Sequence, residues 1–142
     1  MLKLTKKTEY ALLALGHLGQ AGPGETVNVR EIADTHQIPF PVLSKVLQRL
    51  AREGYVEPTK GAHGGYRLRD ELARRNLGQF LEQMEGPFGL VDCIAVQECN
   101  QLDDCLIRSP LQVINETILA AFHRTSLAEV IHYSPSTSVE GK

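Results

Sequence analysis

A chain of 142 residues with a formal net charge of −2 is long enough for one domain with a hydrophobic core, and short for two. No apolar run approaches the length of a membrane span, and the charged opening residues lack a signal-peptide cleavage site. We therefore expect a cytoplasmic protein with no membrane partner. Three cysteines cannot all pair with one another, and a reducing compartment disfavours disulfides, so metal binding or redox chemistry is expected for these thiols.

The small net charge conceals two regions of opposite sign. Residues 41–75 contain eight Lys or Arg against four Asp or Glu, whereas residues 76–107 contain six Asp or Glu and no Lys or Arg. A run of like charge is usually a solvated surface. The secondary structure on which each region lies therefore decides whether the charge has a function.

Three helices are predicted in the first part of the chain. Residues 5–19 show a helical spacing of leucine and alanine, with Thr5 as a plausible N-cap. A turn rich in Gly and Pro follows, and then a short helix over Val29–His36. The third helix, Phe40–Arg52, has Pro41 in its first turn and an apolar side of valine and leucine. Its polar side consists of Ser44, Lys45, Gln48, Arg49 and Arg52.

A basic hairpin is predicted after the third helix. Tyr55 and Val56 form a short strand, and Tyr66–Arg69 alternates as a second one. The Gly-rich tip between the strands contains Lys60 and His63. The sequence therefore predicts a mainly α fold with a small β-wing, which is a winged helix-turn-helix.

This fold predicts binding to double-stranded DNA. The third helix can enter a major groove, and the wing tip, with Lys60 and His63, suits a phosphate or a minor groove. A winged helix used only for contacts with proteins is the alternative, but the cationic helix and the Gly-rich wing favour DNA. The helix residues expected to contact bases or phosphates are Ser44, Lys45, Gln48 and Arg49.

A short helix over residues 77–84 and a longer helix are predicted after the wing. The longer helix should begin with Ser109 as N-cap and Pro110 at the first position. Its apolar residues span a wider arc than one small domain needs to cover, so we expect a homodimer and a roughly palindromic operator. The central stripe of this apolar arc consists of Leu111, Ile114, Ile118 and Phe122.

These elements divide the chain into four segments. A winged helix-turn-helix domain is expected over residues 1–86, and a cysteine-containing loop over residues 87–107. A dimerisation helix region follows over residues 108–131. Residues 132–142 form a tail whose composition is typical of disorder.

All three cysteines lie in the segment CIAVQECNQLDDC, with five residues between Cys93 and Cys99 and five between Cys99 and Cys105. Iron–sulfur clusters are held by thiolates and usually have four ligands, so three cysteines leave one iron for a weaker or exogenous ligand. A zinc site stays open, although zinc motifs usually contain C-x2-C pairs. A metal-free thiol switch is disfavoured because the segment has no Lys or Arg to stabilise a free thiolate.

A function of another class is an iron–sulfur carrier or an electron-transfer module. Such a protein would have no need of a cationic recognition helix and a wing. No Gly-rich phosphate loop or nicotinamide fingerprint indicates an enzyme.

The chain resembles the iron–sulfur winged-helix regulators typified by IscR and NsrR. The resemblance covers about residues 1–131 and includes LTKKTEYAL, REIADTHQIPFPVLSKVLQRL, KGAHGGYRL, the C-x5-C-x5-C segment and TSLAEV. It implies a homodimeric transcription regulator, typically a repressor. Its DNA binding would depend on an iron–sulfur cluster that senses redox state, nitric oxide or iron–sulfur status.

The resemblance also implies a set of ligands. Cys93, Cys99 and Cys105 match the family's cysteines, and the cofactor implied is a 4Fe–4S cluster in preference to a 2Fe–2S cluster. IscR-like members have a histidine three residues after the last cysteine, where this chain has Arg108, which stays protonated and cannot bind iron. NsrR-like members use a carboxylate of the partner subunit near the start of the first helix, and Glu9 occupies that position. The alternatives that stay open for the fourth ligand are His36, His123 and Asp104.

Overall fold

The computed structural model describes residues 3–22, 24–90 and 106–132, and these form a mainly helical fold with one two-stranded antiparallel sheet. The predicted winged helix-turn-helix class is confirmed. Cys93, Cys99, Cys105 and Asp104 lie outside the described residues, as does the predicted tail from residue 133 onward. The elements are α1 (Lys6–Ala21), α2 (Val29–His36), α3 (Phe40–Arg52), β1 (Val56–Thr59), β2 (Gly65–Leu68), a 3-10 helix (Asp70–Arg74), α4 (Leu77–Glu85), α5 (Arg108–Arg124) and α6 (Leu127–His132).

Local capping signals set the ends of the first two helices. The Thr5 hydroxyl accepts a hydrogen bond from the Thr8 N–H at 3.4 Å, which makes Thr5 the N-cap of α1, as predicted. The helix continues two residues beyond the predicted end at Gly19, to Ala21, and stops before Gly22, whose φ is 106°. The Asn28 side chain caps α2 in the same way.

The core is built by the helices α1, α2, α3, α4 and α6 together with Tyr55, which precedes β1. Burying a large apolar side chain of this kind contributes roughly 1.5–3 kcal/mol. Because α6 packs on α1, the end of the described chain helps to close the domain formed by its beginning. The fully buried large apolar residues are Leu15, Leu18, Ile32, Leu43, Leu47, Leu50, Tyr55, Val56, Phe80 and Leu127.

The wing is joined to the segment before α2. Strands β1 and β2 pair with Val56 opposite Leu68, and β1 runs past the predicted end to Thr59 because a proline is tolerated in an edge strand. Val27 and Tyr66 exchange two backbone hydrogen bonds of 2.9 Å, which extends the sheet by an isolated bridge. A side chain at Gly65 would collide with the Val27 backbone, so only glycine permits this close approach.

Helix α5 begins two residues earlier than predicted. The Ile107 carbonyl accepts from the Leu111 N–H at 3.0 Å, so Arg108 is already helical and Ser109 lies in the first turn. The prediction of Ser109 as N-cap is therefore wrong. Ile107 takes that position without a side-chain hydrogen bond, because isoleucine has no side-chain acceptor.

The apolar residues of α5 form two separate faces. Leu111, Ile118 and Phe122 are half-buried on the side that packs on α4, whereas Val113 and Ile114 are 63% and 51% exposed. The predicted single stripe therefore divides between the body of the subunit and the solvent. None of the helices in the described ranges combines the length and the hydropathy that a membrane span requires.

Candidate nucleic-acid interface

Helix α3 presents polar side chains on the side opposite to the core. Lys45 and Gln48 are exposed, and Ser44 is half-buried. Arg49 and Arg52 in the last turn complement the negative end of the helix dipole. Their arrangement follows from the burial of the other side, which consists of Leu43, Val46, Leu47 and Leu50.

Arg49 is less available for a contact with DNA than Lys45 and Gln48 of the same helix. Its Nη2 donates a hydrogen bond of 2.6 Å to the backbone carbonyl of Gln83 in α4, and the residue is half-buried. A contact of Arg49 with DNA stays a prediction. The hydrogen bond also gives Arg49 a role that the sequence did not indicate, since it joins the end of the recognition helix to α4.

The wing tip exposes the two predicted residues, Lys60 and His63. The tip is a tight turn in which the Gly64 N–H donates to the Gly61 carbonyl at 3.0 Å, and Gly61 has a φ of 108° that favours glycine. Within the described ranges, no carboxylate forms an ion pair with Lys60. Its charge is therefore available to a phosphate.

The sequence did not indicate a role for Arg30 and Phe40 at this surface. The guanidinium carbon of Arg30 lies 4.4 Å from the centroid of the Phe40 ring, a cation–π contact between α2 and the first turn of α3. Both residues are exposed and line a groove of about 470 Å³ next to the wing. The sequence could have indicated a role for Phe40, because it precedes Ser44 by one helical turn and residues four apart are neighbours on a helix surface.

The last turn of α4 is hydrogen-bonded to the start of α1. The Glu85 carboxylate accepts from the Thr5 N–H at 3.3 Å, from the Thr5 hydroxyl at 2.6 Å and from the hydroxyl of the fully buried Thr8. Partial burial raises the pKa of Glu85, but the hydrogen bonds from Thr5 and Thr8 outweigh it and hold the pKa below the usual value. The carboxylate is therefore ionised at neutral pH, next to the positive end of the α1 dipole.

The same turn of α4 is also bonded to the region that follows the recognition helix. The Tyr55 hydroxyl donates to the side-chain carbonyl of Gln83, whose backbone carbonyl accepts from Arg49. Burial raises the pKa of Tyr55, so its phenol stays protonated and acts as a donor. Arg75 stacks on the Tyr55 ring at 4.3 Å and donates to the Glu53 carbonyl at 2.8 Å.

Glu9 lies on the outer side of α1. Among the described residues, its carboxylate forms one ion pair, with Lys6 at 3.2 Å, and the side chains of Glu9 and Lys6 are 40% and 76% exposed. It lines a cleft of about 500 Å³ together with the exposed Leu13 and Val130. Glu9 is thus accessible to a second chain, and its role as a ligand stays a prediction.

Two of the other candidates for a fourth ligand, His36 and His123, are engaged within the subunit. His36 lies 3.0 Å from His17, which also contacts Glu31 at 2.9 Å, and burial, followed by the proximity of His17, lowers the pKa of His36. His123 bonds to the Leu119 carbonyl at 2.8 Å. Among the described residues, no three His, Cys, Asp or Glu side chains are grouped closely enough to hold a metal ion.

A winged helix-turn-helix with an exposed polar recognition helix and a basic wing defines the class, a DNA-binding regulator of transcription. Residues 4–133 match the model of the Rrf2 family, described as iron-dependent transcriptional regulators, and the chain belongs to that family.

Named relatives agree with this family. The chain is 37% identical over 123 residues to the HTH-type transcriptional regulator NsrR of Bacillus subtilis strain 168, covering 84% of this chain and 81% of that protein. It is 30% identical over 131 residues to the HTH-type transcriptional repressor NsrR of Streptomyces coelicolor, covering 92% and 88%. These relatives are named regulators rather than enzymes.

A solved structure shares the fold. CymR, described as the global cysteine regulator of B. subtilis, superimposes with a TM-score of 0.74 at 22% identity, covering 94% of this chain and 99% of that chain. At this identity the likeness shows the architecture alone.

We expect the variant Lys60→Ala to bind all duplex sequences more weakly and to a similar extent. Loss of one phosphate contact should lower the slope of log affinity against log salt by about one unit for each bound subunit. Fluorescence anisotropy on a labelled duplex between low and moderate salt measures this slope. Lys60→Arg, which keeps the charge, should retain the wild-type slope, and an unchanged slope in Lys60→Ala would remove the wing tip from the interface.

Proposed function

We propose that the protein is a cytoplasmic, homodimeric regulator whose affinity for a palindromic operator depends on an iron–sulfur cluster. Cys93, Cys99 and Cys105 of one subunit and Glu9 of its partner would hold the cluster, and oxidants, nitric oxide or iron–sulfur status would be the signal. The observation that supports this best is the position of the last turn of α4. It immediately precedes the cysteine-containing loop and is hydrogen-bonded to both α1 and α3.

The donor set suits such a cofactor. Three thiolates are typical ligands of iron in clusters, and a carboxylate oxygen is a weaker ligand. A bound cluster would therefore supply one iron whose ligand can be displaced by a small molecule. Glu9 fits the remaining position, because its carboxylate is exposed and bonded only to the flexible side chain of Lys6 within the described part of the subunit.

The first connection runs from the cysteine-containing loop to α1. Glu85 is two residues from Pro87, where that loop begins, and its carboxylate binds Thr5 and Thr8 at the start of α1. Glu9 follows one turn later on the same helix. A displacement of the loop would therefore act on the helix that is proposed to complete the partner's site.

The second connection runs from the same turn to the DNA-binding surface. Gln83 accepts from Arg49 of α3 and from Tyr55, and these bonds fix the C-terminal end of the recognition helix relative to α4. A shift or rotation of the last turn of α4 would break or move them. Occupancy of the cysteine site and orientation of α3 would then be coupled through few hydrogen bonds.

The exposed face of α5 supports a dimer. Val113 and Ile114 project into solvent from a helix of 17 residues whose other side already packs on α4. A second copy of the chain is the simplest partner for such a face, because a two-fold axis pairs it with itself. It would also place two recognition helices on one duplex.

Other functions on the same fold would give different experimental results. A zinc-based or thiol-based sensor would contain no acid-labile sulfide. An iron–sulfur carrier or electron-transfer module would contain sulfide but would show no sequence-dependent DNA binding, and the named relatives favour a regulator.

Protein purified without oxygen should contain iron and acid-labile sulfide, and removal of the iron should change its affinity for an operator. We expect a change of about 5- to 150-fold, the usual range of coupling between two sites. The operator is first selected from random duplexes by the purified protein, and both forms are titrated at the same salt concentration. Glu85→Ala should reduce this difference, because it removes the acceptor of the bonds to α1. Equal affinities of the two wild-type forms would exclude the cluster as a switch.

Glu9→Ala should keep the fold and the dimer but alter the visible absorption spectrum and shorten the lifetime of the cluster in air. Lys6→Ala is the matched control, because it removes the ion pair of Glu9 and leaves the carboxylate in place. Cys93→Ala, Cys99→Ala and Cys105→Ala should each prevent stable assembly. A Glu9→Ala protein with the wild-type spectrum and lifetime would rule out Glu9, and His36 would be tested next.

Ile114→Asp should convert the dimer into a folded monomer. Its side chain is 51% exposed in the subunit, so a carboxylate there costs little until a partner buries it without compensation. Sedimentation gives the mass, and circular dichroism verifies the fold. Gln112→Asp, an exposed polar position on the same helix, is the control and should stay dimeric. A wild-type protein that sediments as a monomer with its cluster bound would contradict the dimer.

A further inference from the structure

The pair formed by Arg30 and Phe40 lies on the DNA-binding surface and has no role in the proposed function so far. Phe40 is 38% exposed at the first residue of α3, and the guanidinium of Arg30 lies over its ring at 4.4 Å. Arg30 belongs to α2, so the contact joins the two helices of the helix-turn-helix on their outer side.

Helix geometry places Phe40 in one row with residues predicted to contact DNA. Successive residues of an α-helix are rotated by about 100°, so Phe40, Ser44 and Gln48 lie within about 80° of one another. The core-facing residues Leu43, Leu47 and Leu50 are rotated from Phe40 by about 20–80° in the opposite sense, so Phe40 lies at the border between the polar side and the core side of the helix. Recognition helices contact base edges with their N-terminal residues, and Phe40 is the most N-terminal member of this row.

The chemical nature of Phe40 and of Arg30 indicates which group of DNA each side chain would contact. The only apolar group that a base pair presents in the major groove is the C5-methyl group of thymine, and Phe is one of the side chains that contact it. A guanidinium cannot lose its proton, and none of the described carboxylates forms an ion pair with Arg30. A phosphate is the complementary group on the duplex.

The shape of the surface leaves room for both contacts. Arg30 and Phe40 line a groove of about 470 Å³ whose far wall is the wing, at Pro58 and Gly65. Gly65 has no side chain that would narrow the groove. The edge of a base can therefore reach the ring while a phosphate lies against the guanidinium.

We propose that Phe40 reads a thymine methyl group in each half-site and that Arg30, held over the ring, binds the adjacent phosphate. This rests on the proposed entry of α3 into the major groove, and it adds a specificity residue and a positioning residue to that function. Stacking on Phe40 orients the guanidinium and shields one face of the ring. Phe40 is still 38% exposed with Arg30 in this position, which leaves part of the ring accessible to the methyl group.

Replacing thymine by deoxyuridine tests this directly, because it removes the methyl group and leaves base pairing intact. The full-length protein first selects its sites from random duplexes, and each thymine of the selected site is then replaced in turn. We expect wild-type protein to lose about fourfold in affinity at one thymine of each half-site, the effect of one methyl-sized apolar contact. Phe40→Ala should bind the two duplexes equally. Thr35→Ala, which changes an exposed residue of α2 with no assigned role, should keep the wild-type pattern.

Arg30 is tested by salt dependence. Arg30→Ala should weaken binding to every sequence and lower the salt slope by about one unit for each bound subunit, whereas Arg30→Lys should keep the slope. The proposal is overturned if wild-type protein is indifferent to every deoxyuridine, or if Phe40→Ala keeps the wild-type pattern. Specific binding with that result would leave the DNA function intact and remove Phe40 from the set of specificity residues. Absence of any selected sequence would overturn the proposed function as well.

Discussion

Helix α1 is the element on which the rest of the fold is assembled. Its small and apolar residues Ala11, Ala14, Leu15 and Leu18 are fully buried, and α2, α3, α4 and α6 all pack against it. Alanine at two of these positions allows neighbouring helices to approach closely, and the leucines fill the space between them. Because α3 is held by its own leucines in this core, only its polar side can face a duplex.

The same helix connects the two functions proposed for the protein. Its first turn is bonded to Glu85 at the end of α4, and its outer side presents Glu9 to solvent. The end of α4 is in turn bonded to Arg49 of α3. The cysteine-containing loop follows this junction directly in sequence, so in the proposed switch a change in the loop would need to move only one helical turn to affect both.

The basic region of the sequence corresponds to particular elements of the structure. The basic region, residues 41–75, includes α3 and the wing, the two elements that would contact phosphates. Some of its cations are used within the subunit, as in the pair of Arg67 with Glu57 at 3.1 Å and the bond of Arg75 to the Glu53 carbonyl. Lys60 has no such pair among the described residues and is therefore the clearest candidate for a phosphate.

The sequence by itself determined the class of fold, because that depends on local signals. The N-cap at Thr5, the apolar spacing of α3 and the glycines of the wing tip each act within a few residues. The family resemblance was visible for the same reason, since its motifs are short and contiguous. The polar row of α3 could be read from periodicity alone.

Only the tertiary structure decided which of these residues are already engaged. The bond of Arg49 to Gln83 spans 34 residues, and the bonds of Glu85 to Thr5 and Thr8 span about 80, so no local pattern indicates them. The stacking of Arg30 on Phe40 depends on the angle between α2 and α3. The apolar arc of α5 was visible in the sequence, but its division into an inner and an outer face required α4 as a neighbour, because burial is a property of the packed pair and not of one helix.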